Sequence, residues 1–162
     1  MGQRAGGRPV TAATGGAAST GGPGAQDAVL AANQSFYDAV EQGDLDALEA
    51  VWVDERDGAV AACVHPGLAP IHGRAGVLRS WAAVMAGTPY LQFVLTDLEV
   101  QVHGETAVVT CTENMLSAPD GMPTTSFAGG HAVATNVFRR TGSGWRLWLH
   151  HASPVLQPGT GR

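Results

Sequence analysis

His65 and His151 are the side chains of this sequence best suited to moving a proton, because imidazole titrates near working pH and burial tunes it. Asn114 and Asn136 carry amide N–H groups that could donate to a carbonyl oxygen as it develops negative charge. Together they suit acid–base chemistry on a carbonyl compound. The other reactive types are less well arranged. Cys63 and His65 stand two apart, and a metal held by Cys63, His65 and His151 is geometrically conceivable. That spacing is not diagnostic, and a free cysteine more often packs as a small hydrophobe. His72, His103 and His131 fall in or near turns, with no HxH, HxxxH or CxxC pairing, so no metal is expected. No GxSxG nucleophile elbow is present, and GGPG at 21–24 does not join a strand to a helix. All 9 basic residues are arginine. The missing lysine excludes Schiff-base catalysis, pyridoxal phosphate and a P-loop; no cofactor is expected.

The elements that must hold these side chains follow from the apolar pattern. From Asp27, the residues Val29, Leu30, Phe36, Tyr37 and Val40 recur at helical spacing up to Gly43. Asp44 caps a second helix bearing Leu45, Leu48, Val51 and Trp52. Residues 59–65 form a strand stopped by Pro66-Gly67, and Arg74 to Met85 a third helix bearing Val77, Leu78 and Trp81. Four alternating or β-branched runs follow, at 91–102, 107–117, 125–140 and 145–152. They are separated by His103-Gly104, Pro119-Asp120-Gly121 and Gly142-Ser143-Gly144. The fold class is therefore α+β, with three N-terminal helices packed on the concave face of a curved antiparallel β-sheet.

A chain of 162 residues makes one domain. Residues 1–26 hold eight glycines and almost no large apolar side chain, so they are expected to be a disordered tail. The domain then spans 27–156, and 157–162 is expected to be disordered as well. A net charge of −5 with no basic cluster argues against nucleic acid as a partner. No apolar run reaches the roughly 18–20 residues of a membrane span, and the N-terminus has no hydrophobic signal core. Two cysteines are too few for a disulfide framework, and the expected location is the cytoplasm.

Three stretches resemble the nuclear transport factor 2-like superfamily, in its SnoaL-like and ketosteroid-isomerase-like branch. FYDAVEQGDLDAL (36–48) looks like its helix-turn-helix opening, HPGLAPIHGR (65–74) like its strand, turn and third-helix start, and TNVFRRTGSGWRL (135–147) like its last hairpin. The resemblance implies a cone with a small hydrophobic ligand inside. It places His65 where related isomerases keep their base, Asn136 where they keep a neutral acid, and Phe36 where they keep a tyrosine, with Tyr37 beside it pointing elsewhere. The isomerase triad itself is not preserved.

By strand alternation, Asn136 and Phe138 face the interior together. The family's register puts Thr112 and Asn114 inside, with Glu113, Cys111 and Met115 outside, and puts Leu149 and His151 inside, with Trp148 and His150 outside. Trp52 and Trp81 add aromatic walls. No inward carboxylate is expected, and an outer face bearing Met115, Trp148 and Cys111 points to a homodimer. The implied functions are an isomerase, cyclase or dehydratase acting on a hydrophobic carbonyl compound, or a non-catalytic ligand-binding or oligomerisation domain.

Overall fold

The computed structural model describes residues 22–118 and 128–156. Most of the expected tail, the Pro119-Asp120-Gly121 turn, the start of the run at 125 and the stretch 157–162 lie outside the described residues.

Helix α1 (Pro23–Gln42) starts before Asp27, so residues 23–26 belong to a helix rather than to a tail. Pro23 sits at its first turn, where the missing N–H costs nothing. The helix ends at Gly43, whose φ of 65° favours a residue without Cβ. Asp44 accepts from the Ala47 N–H at 2.9 Å and opens α2 (Leu45–Val51). A 3₁₀ turn over Glu55–Asp57 leads to β1 (Ala62–Val64) and β2 (Ile71–His72), and α3 covers Arg74–Gly87. The chain then runs through β3 (Tyr90–His103), β4 (Thr106–Ala118), β5 (Ala128–Thr141) and β6 (Gly144–Pro154).

The strand order is β2-β1-β6-β5-β4-β3. Strands β3 to β6 form the antiparallel meander, but β1 lies parallel to β6, so the sheet is mixed rather than wholly antiparallel. The cause is the chain leaving α2. Trp52 already bridges Leu147 in parallel, and the Val53 N–H donates to the Leu147 carbonyl at 3.0 Å, which sets the direction in which β1 arrives. The core lies between the helices and one face of the sheet, around Phe36, Leu48, Val77, Phe138 and Leu147, all fully buried. None of the described helices is long and apolar enough to cross a membrane.

Two face assignments differ from the sequence-based expectation. On β4, Val109 pairs with Asn136, Cys111 with Ala134 and Glu113 with Ala132, and directly paired residues share a face. Cys111 and Glu113 therefore point inward, while Thr112 and Asn114 point outward, where their polar groups meet solvent. On β6 the pairing steps from Phe138–Leu147 to Val137–Leu149, so Trp148 is an extra residue. This bulge reverses the alternation. Trp145 and Leu147 are buried before it and His150 and Ala152 after it, which turns Leu149 and His151 to the outer face. The Trp148 indole N–H anchors the bulge by donating to the Val60 carbonyl at 3.1 Å.

Candidate functional site

A cavity of about 610 Å³ opens between α3, the segment from β1 to β2, and the inner faces of β3, β4 and β6. Its walls are mostly apolar, with Leu68, Ile71, Val84, Leu91, Phe93 and Met115 among them, and its polar side chains include His65, Ser80, Glu113 and His150. A few polar groups in an apolar hollow is the usual profile of a small-molecule site.

Of the residues singled out from sequence, His65 and Trp81 line this cavity. Phe36, Phe138 and Asn136 are buried in the core behind it, and Trp52 is buried beside a different cavity. Thr112, Asn114, Leu149 and His151 are on the opposite sheet face. There Thr112 donates to Asp97 at 2.8 Å, Asn114 to the Val94 carbonyl at 2.8 Å, and His151 lies 3.4 Å from the Ser153 hydroxyl. The cavity residues not anticipated include Glu113, His150 and Met115, all expected on the outer face, and Ser80. A signal for Glu113 was present: it is the lone carboxylate in the apolar alternation Ala107, Val109, Cys111, Met115.

One buried hydrogen-bond chain orders the inner wall. Asn136 donates through Nδ2 to Asn33 Oδ1 at 2.8 Å and to the Tyr37 hydroxyl at 3.1 Å. Its Oδ1 must then accept, so His150 donates from Nδ1 at 2.7 Å and keeps its lone pair on Nε2. Tyr37 donates its single proton to Glu113 Oε1 at 2.8 Å, leaving the other carboxyl oxygen without a hydrogen-bond partner among the described residues. Tyr37 thus points into the core, not away from it. Across the cavity, Ser80 donates to the Val77 carbonyl at 2.8 Å, so it accepts from His65 Nε2–H at 3.0 Å. Cys63 Sγ lies 3.7 Å from the same nitrogen, and an Nε2–H can be shared between the two. The lone pair of His65 is on Nδ1, and its ring lies edge-on against Trp81 at 4.7 Å.

Burial sets the proton affinities. It pushes Glu113 above the ordinary carboxylate range, with the Tyr37 hydrogen bond partly opposing. It lowers His65, and it lowers His150 to about 3, with the neighbouring His65 and His151 adding to the effect. Burial also pushes the Cys63 thiol up to about 12 and raises Cys111, so neither is a reactive thiolate. Among the described residues, no three His, Cys, Asp or Glu side chains come together as a metal site.

A pH dependence of stability follows. His150 binds its proton more weakly folded than unfolded, where the value is about 6.5. Its contribution is therefore complete above about pH 6.5 and is lost as the pH falls toward the folded value. We expect urea midpoints to decline on acidification through this window. His150→Asn, which keeps a donor near the Nδ1 position, should flatten the decline. An equally steep decline in the variant would assign it to other groups.

A SnoaL-like domain model matches residues 29–157. The chain belongs to the SnoaL-like family. A solved structure from Streptomyces avermitilis, a nuclear transport factor 2-like family protein with a provisional dehydratase label, is 48% identical to this SnoaL-like chain. It superposes with a TM-score of 0.78, covering 83% of this chain and 98% of that one. A Thiobacillus denitrificans structure, provisionally labelled a calcium/calmodulin-dependent protein kinase type II association domain, is 32% identical with a TM-score of 0.64. That match covers 78% of this chain and 94% of that one. A Novosphingobium aromaticivorans protein provisionally labelled an aromatic ring hydroxylase is 20% identical with a TM-score of 0.71, covering 83% and 91% of the two chains; it shows the shared fold alone. No curated protein matches the sequence.

Proposed function

We propose that this SnoaL-like domain is a cofactor-free acid–base enzyme acting on a small hydrophobic carbonyl compound, and that the reaction is a dehydration. The observation that carries this reading is Glu113: a buried carboxyl, engaged by Tyr37 through one oxygen only, in the wall of an apolar cavity that also holds His65. Burial moves the two groups toward one another, the carboxyl up and the imidazole down. Closer proton affinities favour an acid and a base that work together near neutral pH.

In a β-hydroxy carbonyl substrate, His65 takes the α-proton on Nδ1. The electron pair forms the new C=C bond, and the β C–O bond breaks. Glu113 gives its proton to the departing hydroxyl, so water leaves. The cycle closes when solvent returns the proton from His65 to Glu113. Asn136 and Tyr37 hold the inner wall in place and orient Glu113 and His150 rather than touching the reacting atoms. Isomerisation and cyclisation would use the same two transfers. Elimination is preferred because the 48% identical Streptomyces protein carries the dehydratase label. The test is to incubate the protein with hydrophobic β-hydroxy ketones and follow the α,β-unsaturated product by its ultraviolet absorbance and by loss of water in mass spectrometry. Binding of such ketones without conversion would sink the catalytic reading and leave a ligand-binding domain.

A second reading, association into oligomers, draws on the 32% identical association domain and on the outer sheet face. Met115 and Cys111 turn inward and do not contribute to that face, but Val94, Leu116 and Val133 are exposed on it. Such a surface favours a homodimer. Light scattering should then give twice the 16.6 kDa of the chain; a monomer mass at micromolar concentration would remove the reading. The proposed partners are a small hydrophobic ligand and a second copy of the chain.

A further inference from the structure

The apolar cavity presents one polar atom for which the dehydration has no use. His65 takes a proton and Glu113 gives one, but His150, on β6, enters neither step. Its Nδ1–H donates to Asn136 Oδ1 at 2.7 Å, behind the cavity, so the lone pair lies on Nε2. Burial, with His65 and His151 nearby, lowers the imidazole to about 3, which keeps Nε2 unprotonated at neutral pH. The ring has little room to turn, because Phe36 packs on it at 5.1 Å and Trp81 at 5.4 Å.

Nε2 is also open to the cavity. Among the described residues, the side-chain nitrogens sealed in without a partner are Trp52 Nε1, Arg74 Nε and Trp81 Nε1. His150 Nε2 has no partner there either, yet it is not sealed, although the residue is only 1% exposed. The small exposed edge of the ring therefore includes this nitrogen, and the space that it meets is the cavity.

A neutral imidazole nitrogen of this kind only accepts. It repels a carbonyl oxygen and favours a hydroxyl. A ligand that covers it without offering a donor leaves a buried acceptor unmet, and that is costly. The reacting groups of the substrate do not supply the donor. The carbonyl only accepts, and the departing hydroxyl belongs to Glu113. Three hydrogen bonds in series stand between the carboxyl and the imidazole: Glu113 with Tyr37, Tyr37 with Asn136, and Asn136 with His150. On β5, which runs between their strands, the residues paired with them are Ala132 and Asn136, about 13 Å apart along the strand. His150 therefore meets a different part of the ligand.

We propose that His150 selects the substrate: the site takes a hydrophobic ketone bearing a second hydroxyl, away from the reacting carbons, and Nε2 accepts from it. That substrate class rests on reading the cavity as the site of a carbonyl compound, and narrows it. His150 touches the ligand but no atom whose bonds change. Asn136 is its positioning residue, held in turn by donating to Asn33 at 2.8 Å and to Tyr37 at 3.1 Å.

The test measures binding to the full chain by isothermal titration calorimetry. The probes are benzylacetone, its ortho-, meta- and para-hydroxy analogues, and the matching methoxy compounds. None carries a β-hydroxyl, so binding is read apart from turnover. At least one phenol should bind about three- to tenfold more tightly than benzylacetone, the scale of one hydrogen bond, and its methoxy counterpart should lose that advantage. In His150→Asn, which keeps a donor for Asn136 and deletes Nε2, the ratio of the two affinities should fall to near one. In wild-type protein with isotope-labelled histidine, the preferred phenol should shift the His150 Nε2 resonance upfield, a readout that needs no variant. Equal affinities for benzylacetone and all three phenols, an unmoved Nε2 resonance, or an advantage that survives in His150→Asn would overturn the assignment and leave the acid–base reading standing. So would an advantage conferred by a β-hydroxyl but by no ring hydroxyl, which would give Nε2 to the leaving group. Failure of the acid–base reading looks different: the phenol preference appears, but the corresponding β-hydroxy ketones bind without losing water. No binding by any probe would remove both.

Discussion

Glu113→Gln is expected to cut turnover by orders of magnitude while leaving the domain folded and, at neutral pH and above, at least as stable as the wild type. Glutamine has nearly the same shape, and its amide oxygen can still accept from Tyr37, so the inner wall keeps its hydrogen bond. What it lacks is a transferable proton. General acid–base groups contribute roughly 10²–10⁴-fold, and kcat/KM should fall by that order. The stability change has the opposite sign, and linkage fixes it. The Glu113 carboxyl holds its proton more tightly folded than unfolded, where its value is about 4.3. Its contribution is therefore complete below that pH and declines as the pH rises through the raised folded value, because a bare carboxylate must then be buried. Glutamine removes the decline, so the variant should gain on the wild type as the pH rises. Product formation and urea unfolding, each followed at several pH values, read both effects. Turnover within a few-fold of wild type would remove Glu113 from the chemistry.

The sequence shows its helices far more plainly than the faces of its strands. Gly43-Asp44 is a stop followed by a cap, both acting within a few residues, and α1 ends and α2 begins where this punctuation puts them, although α1 starts earlier, at Pro23. Strand faces depend on pairing across the sheet. On β4 the apolar alternation of Ala107, Val109, Cys111 and Met115 marks the buried side, yet the resemblance suggested the polar set Thr112 and Asn114 instead. The presence of Glu113 in the apolar row concealed it, although a carboxylate is found in such a row when it has work to do or a partner to meet. On β6 no local feature announces the bulge. Trp148 is an ordinary strand residue by type, and only its bond to Val60 and its position opposite β5 make it the extra one. One inserted residue exchanged His151 for His150. The parallel pairing of β1 was equally hidden, because three residues of strand carry no sign of direction and the Trp52–Leu147 bridge joins distant parts of the chain. His65 was legible through the resemblance, which puts the isomerases' base just before the Pro66-Gly67 turn, and its side chain lines the cavity.

His65→Gln should cost about as much activity as Glu113→Gln, for a separable reason. The imidazole uses Nε2–H to donate to Ser80 and keeps Nδ1 as the base. A glutamine amide can replace the first function, since its N–H can still reach the Ser80 hydroxyl, but it has no basic nitrogen. Packing against Trp81 weakens somewhat without unfolding the domain, because His65 sits at the edge of the core rather than in its centre. The expected fall in kcat/KM is again roughly 10²–10⁴-fold. The wild type should lose activity toward acid as His65 takes up a proton, at a pH below the ordinary imidazole value because burial lowers it. In His65→Gln the residual rate should have lost that acid limb. The double variant decides whether the two groups act as a unit. If the carboxyl and the imidazole are the two ends of one proton exchange, removing both should cost little more than removing either, since a lone acid or a lone base completes no elimination. Independent, multiplying losses would mean that each group serves a different step, and the single concerted dehydration would have to be abandoned.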